Sequence, residues 1–366
     1  MTVSDAVREA LRQEGPWTTA YVDGPSGEPE GAAESRSRSL RERLRAAGAP
    51  DRDAEAIDRA LAPGSGPPAP SSRWILVRGG ALVADEAFRG PRKGPEVIAH
   101  GAVPELLPLL RHHQDDARIL VVETERSGAR IRQEHVGRGV GDVREVEGET
   151  EGMTKVGAGR LSQPRLHRHA EEVWKHNQAE VAGVVDDLVR TFDPVHVFVT
   201  GDVRARGLLL DKLGGAAAAR VVVVDADTRA DGADDTALDA SIAAALDARR
   251  RARLDDATGA AAQNGAEGMG PVVEALQRAR AGTLVLDVRI GDLDARLPAL
   301  RDEPWVAGTE QDAYDVPVLD DVPAGEALAR AAVLSGAEVL LDDRDEPAAD
   351  EARRDRAVRE PVAALR

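Results

Sequence analysis

The stretch of this 366-residue chain richest in chemically active side chains is Gly152-Met-Thr-Lys-Val-Gly-Ala-Gly-Arg-Leu-Ser-Gln-Pro-Arg-Leu-His-Arg-His169. It carries Lys155, Arg160, Arg165 and Arg168 and no acid, inside a chain of net charge −17. Gly157, Ala158 and Gly159 leave the backbone almost bare, so it can approach a partner closely. The cations flanking them suit phosphate oxygens. Leu161, Ser162 and Gln163 lead into Pro164, and a proline after a hydroxyl and an amide starts a helix. The pattern describes a cationic, side-chain-poor tip on a long helix, suited to a narrow anionic site. A solvated glycine-rich loop before a helix fits the same composition.

Other residues of reactive type are weaker. His135-Val-Gly-Arg-Gly-Val-Gly141 has the glycine spacing of a nucleotide loop, but it precedes an acidic stretch where such a motif should open a helix. No Gly-Lys-Ser/Thr phosphate loop occurs in the sequence. His169, Glu172 and His176 share a helix face and could ligate zinc, although such groups are usually polar surface. His112-His113 shows no partner in sequence. Thr200-Gly-Asp202 closes a strand where α/β proteins often bind ligands, but it reads first as a turn with an Asp helix cap. Ser35–Arg45 and Arg249–Arg253 are basic runs that read first as solvated helix faces.

The elements that must position these residues fall into three segments. Residues 1–114 read as an N-terminal α+β domain: a helix near Val3–Gln13, a strand near Thr18–Val22, and helices over Ser39–Ala47 and Ala54–Leu61. The loop Pro63–Ser72 and a hairpin of Arg73–Val77 with Ala81–Phe88 complete it. Residues 115–263 form the second segment, with strands at Ile119–Val122 and Ala129–His135 on either side of Arg126-Ser-Gly128. A glycine-rich acidic stretch leads to the basic tip. A helix from Pro164 follows, with Leu166, Ala170, Val173, Val181, Val184, Val185 and Leu188 along one face. Val195–Thr200, Arg204–Leu213, Arg220–Val224 and Asp234–Leu254 then alternate strand and helix, which implies parallel pairing. Gly259–Gly270 reads as a linker. Residues 264–366 form a smaller α/β domain: helices at Val272–Arg280 and Pro323–Leu334, strands at Thr283–Val288 and Val339–Leu341, and a last apolar run at Val362–Leu365.

Composition narrows the chemistry. There is no cysteine, which excludes disulfides, thiolate catalysis and Cys-ligated metals and fits a reducing cytoplasm. All but four of the 48 basic side chains are arginine (the lysines are 93, 155, 175 and 212), so arginine abundance alone carries little weight. Aromatics are 2% of the chain, which disfavours an RNA surface built on stacked rings. No run approaches the roughly 20 apolar residues of a membrane span, and the amphipathic start lacks a signal-peptide core. A soluble cytoplasmic protein is expected, without membrane or DNA contacts.

The segment Gly157–Arg168, with Ala170-Glu-Glu-Val-Trp-Lys175 after it, resembles the central-domain loop and helix of archaeo-eukaryotic class-I peptide release factors and pelota-type proteins. The release-factor loop reads Gly-Arg-Gly-Gly-Gln-Ser-Ala-x-Arg-Phe-x-Arg. Gly157, Gly159, Ser162, Arg165 and Arg168 coincide with family residues; Arg160 replaces the second glycine of Gly-Gly-Gln, and Leu161 replaces its glutamine. The hairpin around Arg126-Ser-Gly-Ala-Arg130, the strand Phe192–Gly201 and the helix Val272–Gly282 resemble further parts of that family. No match to its stop-codon motif occurs before residue 115.

The resemblance implies a three-domain α/β fold with a protruding glycine-rich loop, no cofactor, no metal, and the ribosome as partner. It further implies occupation of the A site against ribosomal RNA, the loop near the peptidyl-transferase centre, and elongation factor Tu as companion. In the family the glutamine positions the attacking water. Leu161 has no polar atom for that task, so no catalytic residue and no hydrolysis are expected. Bacterial members lacking the glutamine resemble Balon-type hibernation factors. The alternative expectation is a peptidyl-tRNA hydrolase that rescues ribosomes with Gln163.

Overall fold

The computed structural model describes residues 4–25, 30–62, 67, 70–148, 163–226, 235–343 and 358–366, and side chains for all of these except 30, 32, 163–170 and 292. The chain is a mixed α/β protein that divides into two compact units: residues 1–115 with 250–366, and residues 116–249.

In the first unit, α1 (Asp5–Ala10), β1 (Trp17–Asp23), α2 (Glu30–Ala46), α3 (Asp51–Ala60), β2 (Ser71–Arg78), β3 (Ala81–Arg89), β4 (Val97–Gly101) and α4 (Leu107–His113) come first. Their sheet has the order β3-β2-β1-β4, antiparallel throughout. Alternation along β1 and β2 decides the two faces. Ala20, Val22, Ile75 and Val77 face Leu40, Leu44 and Ile57 of α2 and α3. Tyr21, Trp74 and Leu76 face the opposite way, into a core shared with the end of the chain.

The second unit holds β5 (Arg118–Glu125), β6 (Gly128–His135), β7 (Gly139–Glu147), α5 (Gln163–Phe192), β8 (His196–Gly201), α6 (Val203–Leu210), α7 (Gly215–Ala218), β9 (Val221–Val223) and the first half of α8 (Thr236–Asn264). Its sheet runs β7-β6-β5-β8-β9, with β5, β8 and β9 parallel. Both faces are covered. Leu120, Val122, Val197 and Val199 pack on α5 residues Val181, Val185 and Leu188, and Ile119, Val121 and Phe198 pack on Leu238 and Ile242 of α8. Each such fully buried aliphatic side chain contributes about 1.5–3 kcal/mol. Continuous apolar strands are what a two-sided parallel sheet requires.

The remainder returns to the first unit: β10 (Gly265–Glu267), α9 (Met269–Gln277), β11 (Ala281–Asp287), β12 (Arg296–Leu300), β13 (Val318–Pro323), α10 (Ala324–Ser335), β14 (Glu338–Asp342) and β15 (Val362–Leu365). The sheet order β10-β15-β11-β14 seats the last strand between β10 and β11. The fully buried α10 ties this part to residues 1–115. Its Glu326 carboxyl group accepts the Leu106 and Leu107 amide N–H at 2.6 and 3.1 Å, capping α4 from 220 residues away. Its Arg330 guanidinium donates to the carbonyls of Leu11 (2.9 Å) and Leu300 (2.8 Å), and burial lowers its pKa to about 10.

Two sequence expectations change. Gly259–Gly270 is no linker: the alanine-rich run continues α8 to Asn264, because alanine outweighs one tolerated glycine in a helix. The acidic stretch after His135 is strand β7. No helix among the described residues is long and apolar enough to cross a membrane.

Candidate nucleic-acid interface

Residues Lys155, Gly157, Ala158, Gly159, Arg160, Leu161 and Ser162 lie outside the described residues. Gln163 is the first residue of α5, and Arg165 and Arg168 fall in its first two turns. What the structure displays is the base on which that segment is mounted.

One side of the base is the end of β7. The Gly148 amide N–H donates to the Ser127 carbonyl at 2.7 Å, and a Cβ at Gly148 would lie 2.3 Å from the Asn177 side chain on α5. Only a bare backbone fits between them. The other side is α5, held from Val173 to Gln178. The Asn177 side-chain amide donates to the Arg126 carbonyl at 3.1 Å. The Gln178 amide donates to the Glu125 carbonyl at 2.7 Å and accepts from the Thr124 hydroxyl at 2.8 Å. Both amides are fully buried, so each bond avoids the cost of a stranded polar group.

The β5–β6 turn is then pinned from above and below. The Arg126 guanidinium lies 4.8 Å from the Trp174 ring centre and pairs with Asp202 at 3.1 Å. Asp202 caps α6, accepting the Arg204 and Ala205 amide N–H at 2.9 and 3.0 Å. Burial pushes the Asp202 carboxyl up, but the Ala205 N–H and the Arg126 charge outweigh it and hold the pKa below the usual range. Gly201 (φ 107°) completes the turn, with a Cβ there lying 2.1 Å from the Thr124 carbonyl.

These contacts hold α5 rigidly at Val173–Gln178. The helix carries Gln163 a further ten residues along its axis, about 15 Å at 1.5 Å per residue. The hydrogen-bonded base fixes the direction in which α5 runs back toward Gln163.

The structure places the other candidates as follows. Asp202 is a helix cap, as one of its two sequence readings held. The glycines of His135–Gly141 belong to the β6–β7 hairpin, so they open no helix. His176 is exposed and lies 3.6 Å from Glu180, while the His169 side chain is outside the description. Arg250 and Arg253 pair with Asp343 and Glu338, and Arg41, Arg43 and Arg45 pair with Asp58, Glu96 and Asp51. His112, without a partner in sequence, is buried, stacked on Phe88 and bonded to the Tyr21 hydroxyl at 2.8 Å. Sequence reasoning missed Arg126, Trp174, Asn177 and Gln178 as a unit. The only sequence signal was two amides interrupting an apolar helix face.

Residues 118–267 match the family described as bacterial archaeo-eukaryotic release factor family 2. The match spans the second unit, including the basic segment and its helix. Two Mycobacterium tuberculosis proteins, Rv2629 of strain H37Rv and MT2704 of strain CDC 1551, are each 24% identical over 365 residues, covering 93% of this chain and 92% of theirs. Among solved structures, archaeal termination factor aRF1 is 16% identical with TM-score 0.25, covering 100% of this chain and 99% of that one. Ribosome-bound archaeal Pelota is 14% identical with TM-score 0.39, covering 99% and 93%. Dom34 of S. cerevisiae is 8% identical with TM-score 0.39, covering 81% and 80%.

Proposed function

We propose that this chain is a cytoplasmic ribosome-binding translation factor that occupies the A site and brings its basic glycine-rich segment near the peptidyl-transferase centre without hydrolysing peptidyl-tRNA. The family match across residues 118–267 carries this reading. The replacement of the family's glutamine by Leu161 supports the non-hydrolytic part, because an isobutyl group cannot orient water. A factor that fills the site and leaves the ester intact suits a protective, hibernation-type role in stress, with elongation factor Tu as companion and ribosomal RNA as the surface met by Lys155, Arg160, Arg165 and Arg168.

Co-sedimentation of the purified chain with ribosomes across a salt series tests it. Each neutralised phosphate contributes roughly 0.7–0.9 to the slope of log K against log salt. The Arg160→Glu, Arg165→Glu double variant is therefore expected to bind less and to flatten that slope by about two units. Unchanged binding removes the segment from the interface. A peptide-release assay on ribosome–peptidyl-tRNA complexes tests the chemistry. Release by the wild type that is lost in Gln163→Ala overturns the silent reading and makes the chain a hydrolase.

A further inference from the structure

A cavity of about 720 Å³ lies within the first unit. Its polar lining comprises Tyr21, Lys93, Glu105, Arg111, Arg289 and Glu326, from both ends of the chain, and its remaining walls are aliphatic and proline side chains. The volume falls in the range of small-molecule sites, roughly 300–1,000 Å³.

The electrostatics select the occupant. Three cations line the cavity, two of them fixed by ion pairs with carboxylates. The Lys93 ammonium is fixed by Asp115 at 2.5 Å, and Arg289 is held by Asp287 through two bonds of 2.9 and 3.2 Å. Arg111 lies close against Gly94, where a Cβ would stand 2.9 Å from its guanidinium, so the glycine leaves the cation room. The cationic field extends behind the wall. Burial first, and then the charges of Lys93, His113 and Arg111, depress the His112 pKa to about 3. The acid on the floor does not oppose an anion. Glu326 is 3% exposed, and burial followed by the neighbouring Glu105 raises its pKa, favouring the neutral carboxyl. Glu105 is the opposing charge among the lining residues, and it shares a hydrogen bond with Glu326.

We propose that this cavity binds a phosphorylated small molecule of nucleotide size, its phosphates on Lys93, Arg111 and Arg289 and its body against the apolar wall. Planar guanidinium and ammonium donors together suit phosphate. A bare inorganic ion would leave most of the volume empty. Because the lining comes from both chain ends, the bound ligand stabilises the unit as a whole.

Titration calorimetry and thermal unfolding of the full chain test the site, with ATP and UTP as probes, adenosine as the unphosphorylated control and pyrophosphate as the bodiless one. ATP or UTP is expected to bind and raise the melting temperature, with adenosine silent and pyrophosphate weaker. Lys93→Glu is expected to weaken binding by at least about tenfold, the worth of one charge-assisted contact. Gly291→Trp provides a variant that leaves every charge in place. Gly291 lines the cavity and a Cβ there meets nothing within 4 Å, so an indole is accommodated at its edge without backbone displacement. Loss of binding in both variants with retained folding supports the proposal. No binding of ATP, UTP or pyrophosphate at about 1 mM, a generous concentration for a specific site, overturns it, as does binding that neither variant weakens.

Discussion

Replacing Glu326 by glutamine should alter how stability depends on pH more than how large it is. The carboxyl is buried and accepts two backbone N–H groups at the start of α4, at 2.6 and 3.1 Å. Burial, then Glu105, raises its pKa well above the ordinary 4.5. A carboxyl that holds its proton more tightly when folded makes the native state bind more protons than the unfolded chain. Stability is therefore full below pH 4.5 and is lost as pH rises toward the folded pKa, by about 1.4 kcal/mol for each unit of upward shift. Glu326→Gln mimics the neutral acid, keeps one acceptor for the amides and cannot ionise. Glu326→Ala strands both N–H groups and should cost about 2–5 kcal/mol at low pH, a gap that narrows as pH rises because only the wild type carries the ionising carboxyl. Denaturant unfolding of wild type and both variants from about pH 5 to about pH 8 reads the effect. The gap between Glu326→Gln and wild type should grow in the variant's favour as pH rises. A gap that stays constant across that range refutes the buried neutral acid.

His112 acts with the opposite sign. Its pKa, lowered to about 3 by burial first, keeps the folded ring neutral while the unfolded ring takes a proton near pH 6.5. Stability should fall by about 1.4 kcal/mol per unit as pH drops below that point, and His112→Gln should flatten the slope in the same unfolding series. Gly201→Ala forces a left-handed φ of 107° on a Cβ 2.1 Å from the Thr124 carbonyl. It should destabilise the second unit by about 2–5 kcal/mol, read as a lower midpoint of thermal unfolding.

The central sheet was legible because its strands are buried on both faces. Ile119–Val122 and Val197–Val199 are short apolar runs bounded by turns, and the residues between them show a helical period. Strand β7 was not legible. As an edge strand with Val140 44% and Val143 40% exposed, it leaves both faces largely open and shows no clean alternation. The contacts that join the chain's ends were invisible for another reason. Leu11 with Arg330 and Leu106 with Glu326 are separated by 319 and 220 residues, and no local pattern encodes such pairing. A buried arginine and a buried glutamate in an alanine-rich helix read as an ordinary polar face until the partner carbonyls and amides come into view.

The basic segment and its base divide in the same way. Charge and glycine content are local, so a basic glycine-rich segment stands out in composition alone. The base is assembled from four separate places: the end of β5, the β5–β6 turn, the middle of α5 and the β8–α6 turn. Asn177 and Gln178 look like flaws in an apolar stripe, yet they donate to the Arg126 and Glu125 carbonyls at the β5–β6 turn. Substituting either by leucine would preserve the apolar pattern while removing a side-chain hydrogen bond to the turn, at about 0.5–1.5 kcal/mol. The chain tolerates polar groups on a buried helix face because they fix where a thirty-residue helix leaves the sheet. A lever is only as well aimed as its mounting, so the direction of α5 rests on two amides that hydropathy alone would have removed.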